Sequence, residues 1–432
     1  MTQPNEQKWL KQHQMISEAT AHLGEYELSQ LNKNGKEVDE EAQAQNLISG
    51  SIVIGNLPLV KSLLGNRAVD VNRENPYFGR PLHIAAAWGH VAIVRYLLDH
   101  GADPNLFTGP QEENTDDWEH VHLGSRHRYQ SPEGSALRAA ALGGHEQIVN
   151  LLLEPKYGLS LSRAEYLRAT LAGVRGGHVN VINILLQATG ETVPGLGAFR
   201  EEMLWEAVRH NQEAVVQMLL DLGADVSAPP YADGRDHGDA LNIAASQGYD
   251  RLVHMLLDNG ADLNYESPRS RTPIIAAARG GHEEVVQVLL EWGGTIGEAF
   301  ISAADGGQVH LLRYLLQKGV DVHKKDNLGR TIGMEALERA IITKNPAVIS
   351  ILVDLGVPIN HDSPTPHDHP MVIAKTFSAQ WIVDFLLSLG AEDREVDPDE
   401  TPDTFLEDCY SLQMSRGGIR LTKRTWEWVG KY

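Results

Sequence analysis

Residues 271–294 read "RTPIIAAARGGHEEVVQVLLEWGG". Three small residues (Ala276, Ala277, Ala278) precede a Gly-Gly-His, and an apolar pattern then runs to Leu-Leu. The stretch is one copy of a repeated unit. Near copies are "RPLHIAAAWGHVAIVRYLLDHGADPN" (80–105), "SALRAAALGGHEQIVNLLL" (135–153), "LAGVRGGHVNVINILL" (171–186), "AVRHNQEAVVQMLLDLGADVS" (207–227), "DALNIAASQGYDRLVHMLLDNGADLN" (239–264) and "ISAADGGQVHLLRYLLQKGVDVH" (301–323). Anchoring each copy on the residue after the turn gives His90, His145, His178, Asn211, Tyr249, His282 and Gln308. The steps His145 to His178, His178 to Asn211 and Tyr249 to His282 are each 33 residues. A fixed period of that size signals a solenoid. Weaker copies anchor at Asn56, Asn345 and Ala379, which makes about ten helix pairs.

Each part of the unit has a physical reason. Ala pairs at 85–86, 140–141, 244–245 and 277–278 let one inner helix lie close against the next. The Gly before most anchors accepts a tight turn at little steric cost. The second helix is apolar at helical spacing, as in Val285, Val288, Leu289 and Trp292. One copy cannot bury that face alone, so stacking must supply the core. Gly101, Gly223, Gly260 and Gly319 follow the Leu-Leu helices as stops.

These residues resemble the ankyrin repeat family. Its pattern is Thr-Pro-Leu-His, two Ala, Gly-His, an apolar helix ending Leu-Leu, then Gly-Ala-Asp-Val-Asn. "RPLHIAAAWGH" with "YLLDHGADPN" matches almost throughout, and "RTPIIAAARGGH" keeps Thr272 and Pro273 but replaces Leu-His by Ile274 and Ile275. The resemblance covers roughly residues 40–393. It implies an all-α solenoid with β-turn or hairpin fingers and a curved binding face bordered by them. It specifies a fold far better than a function, because partners differ from member to member.

Composition narrows the classes. The chain has 432 residues, a formal charge of −21 and a single cysteine, Cys409. One cysteine excludes an internal disulfide framework and fits a reducing compartment. The charge argues against non-specific nucleic-acid binding, which needs a basic surface. No apolar run approaches the length of a membrane span. The expected location is therefore cytoplasmic, with the nucleus as the alternative, and the expected state is monomeric. Along the chain, residues 1–37 read as an N-terminal helical cap, 38–393 as the array, and 394–432 as an acidic loop followed by a Trp-containing tail. Trp426 and Trp428 of that tail are expected to fold back on the last repeat, since terminal edges need covering.

Departures from 33 mark the places to look. His90 to His145 is 55 residues, Asn211 to Tyr249 is 38, and His282 to Gln308 is 26. The short step predicts that the copy at 298–317 has lost its finger. The long step is an insertion at 106–134 that carries Trp118, His120, His122, His127, Arg128 and Tyr129. Aromatic and Arg side chains of this kind make binding hot spots. His120-x-His122 beside Asp116 and Asp117 lacks a fourth-ligand pattern, so no metal or other cofactor is expected.

The inner-helix row is the second candidate. The two positions ahead of each turn give Ala87/Trp88, Leu142/Gly143, Arg175/Gly176, Val208/Arg209, Ser246/Gln247, Arg279/Gly280 and Asp305/Gly306. An earlier position gives Ile84, Trp205, Ile243 and Arg339. Arginines on an acidic protein suit carboxylates or phosphates, though they equally suit a solvated face. Trp88 and Trp205 are expected to be exposed contact residues. Fingers supply the third set, with Tyr77, Phe78 and Arg80 in "NRENPYFGR", Tyr231 in "SAPPYADGRDHGD" and Tyr265 in "NYESPRSRT".

Catalytic signatures (Gly-x-Ser-x-Gly, His-Glu-x-x-His, a phosphate-cradling Gly loop, the kinase set) do not occur. The leading expectation is a non-catalytic scaffold that holds a protein or peptide segment. The alternative is an enzyme or small-molecule receptor, in which the insertion covers the surface near Trp88 and His120, His122, His127 and Asp117, with Arg138, do acid–base work.

Overall fold

Short runs of Ala and Gly followed by apolar residues at a helical spacing dictate thin helices backed by greasy ones. The computed structural model shows this pairing. It describes residues 40–65, 69–75, 78–108, 134–189, 197–228, 239–266, 272–325, 329–360, 369–377 and 379–394. Among these are twenty α-helices in ten antiparallel-reading pairs, and the chain divides into two units, 1–218 and 219–432.

In the first unit the pairs are Glu40–Val53 with Leu57–Gly65, Pro81–Ala87 with Val91–Asp99, Ala136–Leu142 with Glu146–Leu152, Arg163–Gly176 with Val179–Thr189, and Ala198–Arg209 with Glu213–Asp221, within which the division falls. In the second they are Ala240–Gln247 with Asp250–Asp258, Pro273–Gly280 with Glu283–Glu291, Ile296–Asp305 with Val309–Gln317, Ile332–Ile342 with Pro346–Asp354, and Pro370–Phe377 with Gln380–Ser388. We call the first helix of each pair inner and the second outer.

The expected packing is present. Ala85, Ala86, Ala140, Ala141, Ala244, Ala245, Ala277 and Ala278 are fully buried, so the inner helices stack on their methyl faces. Outer helices bury adjacent pairs one turn apart, such as Ile93/Val94 with Leu97/Leu98 and Leu252/Val253 with Leu256/Leu257. Each outer helix thus closes the core between its own inner helix and its neighbour, at roughly 1.5–3 kcal/mol per large side chain buried. The stop at Gly101 is a left-handed cap (φ 91°), with the Ala102 N–H donating back to the Leu97 carbonyl at 2.9 Å. Successive repeats are also stitched by asparagine. Asn72 accepts from the Asp103 N–H and donates to the Gly101 carbonyl, and Asn360 does the same with Glu392 and Gly390.

Four inner helices begin with side-chain caps, whereas Thr272 and Thr295 hold the same position without a capping hydrogen bond. Ser135, Ser162, Asp239 and Thr331 accept from the N–H three residues on. Among the described residues the fingers show three short pairings. Asn75 bridges Gly79, Lys325 bridges Thr331, and Phe107–Thr108 pairs antiparallel with Gly134–Ser135. That last ladder joins the two ends of the long insertion, whose residues 109–133 lie outside the described set. Between Glu291 and Ile296 only Trp292, Gly293, Gly294 and Thr295 intervene, so the pair at 296–317 has no finger, as the short step requires.

The register of one repeat differs from the expectation. Asn211 is not the residue after the turn. It holds the left-handed turn position itself (φ 55°), and Gln212 follows it as the anchor. Asn tolerates that conformation better than most residues, so a missing Gly shifted the alignment by one. His178 to Gln212 is then 34 residues and Gln212 to Tyr249 is 37.

Candidate binding surface along the inner helices

The anchor side chains build the surface. His90 Nε2 lies 3.2 Å from the Val53 carbonyl, His145 Nε2 3.0 Å from that of Ala87, and His178 Nε2 3.1 Å from that of Leu142. Gln212 donates to the Arg175 carbonyl, His282 meets that of Ser246 and Gln308 donates to that of Arg279. Every acceptor sits three residues before the preceding anchor. A last-turn carbonyl without a helical partner is thereby satisfied by the next repeat, and adjacent turns are held together. These histidines and glutamines are structural ties.

Residues at those turns stand outward. In the first unit the sequence of turns presents Ile54 (45% exposed), Trp88 (59%) and Leu142 (52%). Most large apolar groups of the unit are buried, so three exposed ones on consecutive turns form a row of the kind that marks contact surfaces. Ile54 and Trp88 stand two residues before their anchors and Leu142 three before its own; Arg175 and Arg209 repeat the place of Leu142 on the next two turns. In the second unit that place holds Ser246, Arg279, Asp305 and Ile342, and Gln247 is exposed beside Ser246.

The arginines are not free charges. Glu206 lies 3.1 Å from Arg175 and 3.9 Å from Arg209, with His210 Nε2 at 3.4 Å. Burial alone would raise the Glu206 carboxyl, but the His210 contact and the two arginines outweigh it and hold the carboxyl at about 2. One turn earlier, Glu202 is pushed up to about 7 by burial and by the Glu206 charge. Arg279 pairs with Asp305 on the next turn. Arginine here sets a pattern of ordered, partly exposed guanidinium groups.

Arg138 is also engaged. Its guanidinium grips Glu165 through Nη2 at 2.6 Å and Nε at 3.3 Å, Ser135 Oγ donates to the same carboxylate at 2.6 Å, and Arg168 stands 3.8 Å away. Glu165 is 1% exposed, so this is a buried charge cluster at the foot of the insertion ladder. Arg80 ties its finger together, donating to the carbonyls of Asn72 and Phe107 and pairing with Glu74. Phe78 packs against the core of the first unit. His83, the Leu-His histidine, is fully buried against the Gly134 carbonyl, and burial pulls it down to about 4, so it is neutral.

The earlier inner-helix position is corrected. Ile84, Ile243 and Trp205 are all buried, at 2%, 6% and 8% exposure, and so belong to the core. Trp205 entered that row only through the one-residue slip; with Gln212 as anchor the position holds Glu206. Trp88 stands where expected. Ile54 escaped notice in the sequence, although it precedes Asn56 by two residues just as Trp88 precedes His90. Tyr77, Trp118, His120, His122, Tyr129 and Tyr231 lie outside the described residues. Among the described residues no cluster of His, Cys, Asp and Glu could hold a metal ion, and no helix is long and apolar enough to cross a membrane.

Helix pairs stacked within each unit, with turn-to-turn ties, define a repeat scaffold. The family model for ankyrin repeats matches residues 18–108, 47–165 and 241–326, together more than half of the chain. The chain belongs to the ankyrin repeat family. It is 28% identical over 79% of its length to the ankyrin repeat and KH domain-containing protein mask-1 of Caenorhabditis elegans. It is 34% identical over 22% of its length to human Rabankyrin-5, and 36% identical over 21% to the E3 ubiquitin-protein ligase XBAT33 of Arabidopsis thaliana. The chain spans only 12%, 9% and 17% of the lengths of these relatives. The shared part is the repeat scaffold, and ankyrin repeats are generally protein-binding modules.

Proposed function

We propose that this protein is a non-catalytic binding scaffold that holds a segment of a partner protein along the inner-helix turns of its first unit. The observation that supports this most is the row Ile54, Trp88 and Leu142, exposed on three consecutive turns and followed by Arg175 and Arg209. Adjacent packed helices lie about 8–10 Å apart, so a partner segment with large apolar side chains at that pitch would seat one on each turn. Tryptophan in the middle of such a row is the natural hot spot. Arg175 and Arg209, held by Glu206, then orient the acidic end of the segment, since pre-positioned guanidinium groups lose little freedom on binding a carboxylate. Arg138, Gln247, Arg279 and the finger and insertion side chains widen the contact in the same reading. The test is affinity capture with the whole protein, Trp88→Ala, and a form lacking residues 108–131. The reading expects specific proteins lost with Trp88→Ala. Identical capture by all three forms would remove it.

A further inference from the structure

The last helix pair departs from the others in a way that calls for a cover. The second residue after each anchor is exposed in every pair before the last: Pro58, Ala92, Gln147, Asn180, Ala214, Arg251, Glu284, His310 and Ala347. All are small, polar or charged. In the last pair that position holds Trp381, 48% exposed. The second residue of the Leu-Leu motif behaves similarly. Leu98, Leu186 and Leu257 are 6%, 4% and 4% exposed and Leu290 and Leu316 are half-buried, whereas Leu387 is 40% exposed. Beside Leu387 is a concavity of about 440 Å³ lined by Lys375, Gln380, Val383, Leu387 and Asp393.

The chain's own path leads across this place. Lys375 Nζ donates to the Arg394 carbonyl at 2.8 Å and pairs with the Asp393 carboxylate, so the backbone is held at the rim of the concavity as it leaves the last pair. Residues 395–432 follow. Their final stretch, 416–432, reads "RGGIRLTKRTWEWVGKY". It carries Arg416, Arg420, Lys423, Arg424 and Lys431 against one acid, Glu427, in a protein of net charge −21. Ile419, Leu421, Trp426, Trp428 and Val429 supply the apolar complement. The surface they would meet exposes Asp384, Glu392 and Asp393. The intervening 395–415 reaches about 25 Å even as a random coil, more than the roughly 14 Å length of the nine-residue helix Gln380–Ser388.

We propose that residues 416–432 dock in cis on the exposed face of the last helix pair, with Trp426 and Trp428 against Trp381 and Leu387 and the basic side chains against Asp384, Glu392 and Asp393. The segment then serves as the C-terminal cap that a repeat array requires. The surface belongs to the second unit and shares no residue with the inner-helix row of the first, and its test needs no partner protein.

The test is amide hydrogen exchange on the 432-residue chain and on the double variant W426A/W428A of the same chain, with light scattering on both. The docked cap predicts that amides of Gln380–Ser388 exchange about tenfold or more faster in the variant, because local opening no longer has to expose a tryptophan-covered face. Glu283–Glu291 should exchange equally in both, and both should have the mass of a monomer. Equal exchange of Gln380–Ser388 in the two proteins would overturn the proposal. So would protection that rises with protein concentration alongside a dimer mass, since a second copy would then be the cover.

Discussion

Trp88 and Glu165 are opposite kinds of residue, and substitution should separate them. Trp88 is 59% exposed, and its backbone N–H caps the helix Pro81–Ala87. Trp88→Ala should change stability by only about half a kcal/mol while weakening partner binding by on the order of 1–4 kcal/mol, readable by melting and titration of one variant. Glu165 is 1% exposed between Arg138, Ser135 and Arg168. Glu165→Ala strands buried positive charge and should cost about 3–5 kcal/mol in denaturant unfolding. Glu202 makes a pH-dependent prediction. Its carboxyl titrates at about 7 in the folded chain against 4.5 for the free group. The folded state therefore binds that proton more tightly, and the associated stability is whole below about pH 4.5 and declines as pH rises through 7. Glu202→Gln keeps the neutral form at all pH values. It should match the parent near pH 4.5 and exceed it at pH 8 by on the order of 1–3 kcal/mol; equal stability at both pH values would contradict the assignment.

At the scale of the element, the turn between inner and outer helices decides what the sequence discloses. Its left-handed residue is glycine at 55, 89, 144, 177, 248, 281 and 307, but Asn211 and Lys344 fill it with φ 55° and 60°. A Cβ there costs about 1–2 kcal/mol, partly offset by the extra chain freedom of glycine. Lys344→Gly should thus stabilise the protein by about 0.5–1 kcal/mol, measured as a shift in the unfolding midpoint; destabilisation would mean that Lys344 makes a contact worth more than its strain. Periodic Ala pairs and Leu-Leu motifs made all ten helix pairs legible, because packing repeats with the sequence. The lost finger after Glu291 was legible for the same reason, as a seven-residue deficit in a counted period. The turn at Asn211 was not, because glycine was the marker and asparagine replaced it. That single slip put Trp205 on the surface in the sequence reading, whereas its side chain is 8% exposed. Ion pairing was also hidden: Arg175 meets Glu206 across 31 residues, and no local spacing announces it.

For the whole molecule, a formal charge of −21 makes an acidic surface on which a few large apolar groups are exposed. The exposed groups are not equivalent. Trp292 and Trp381 lie on outer helices or their ends, while Trp88 lies on an inner turn between Ile54 and Leu142. Relatives as different in name as a KH domain-containing protein and a ubiquitin ligase share the scaffold, so the scaffold alone names no partner. The most direct measurement is a titration of one purified partner, identified by capture on the whole protein, against the parent, Trp88→Ala and Trp292→Ala. Affinity should fall at least about tenfold for Trp88→Ala and stay unchanged for Trp292→Ala, with all three melting together. Equal affinity of the parent and Trp88→Ala, or a loss confined to Trp292→Ala, would contradict it.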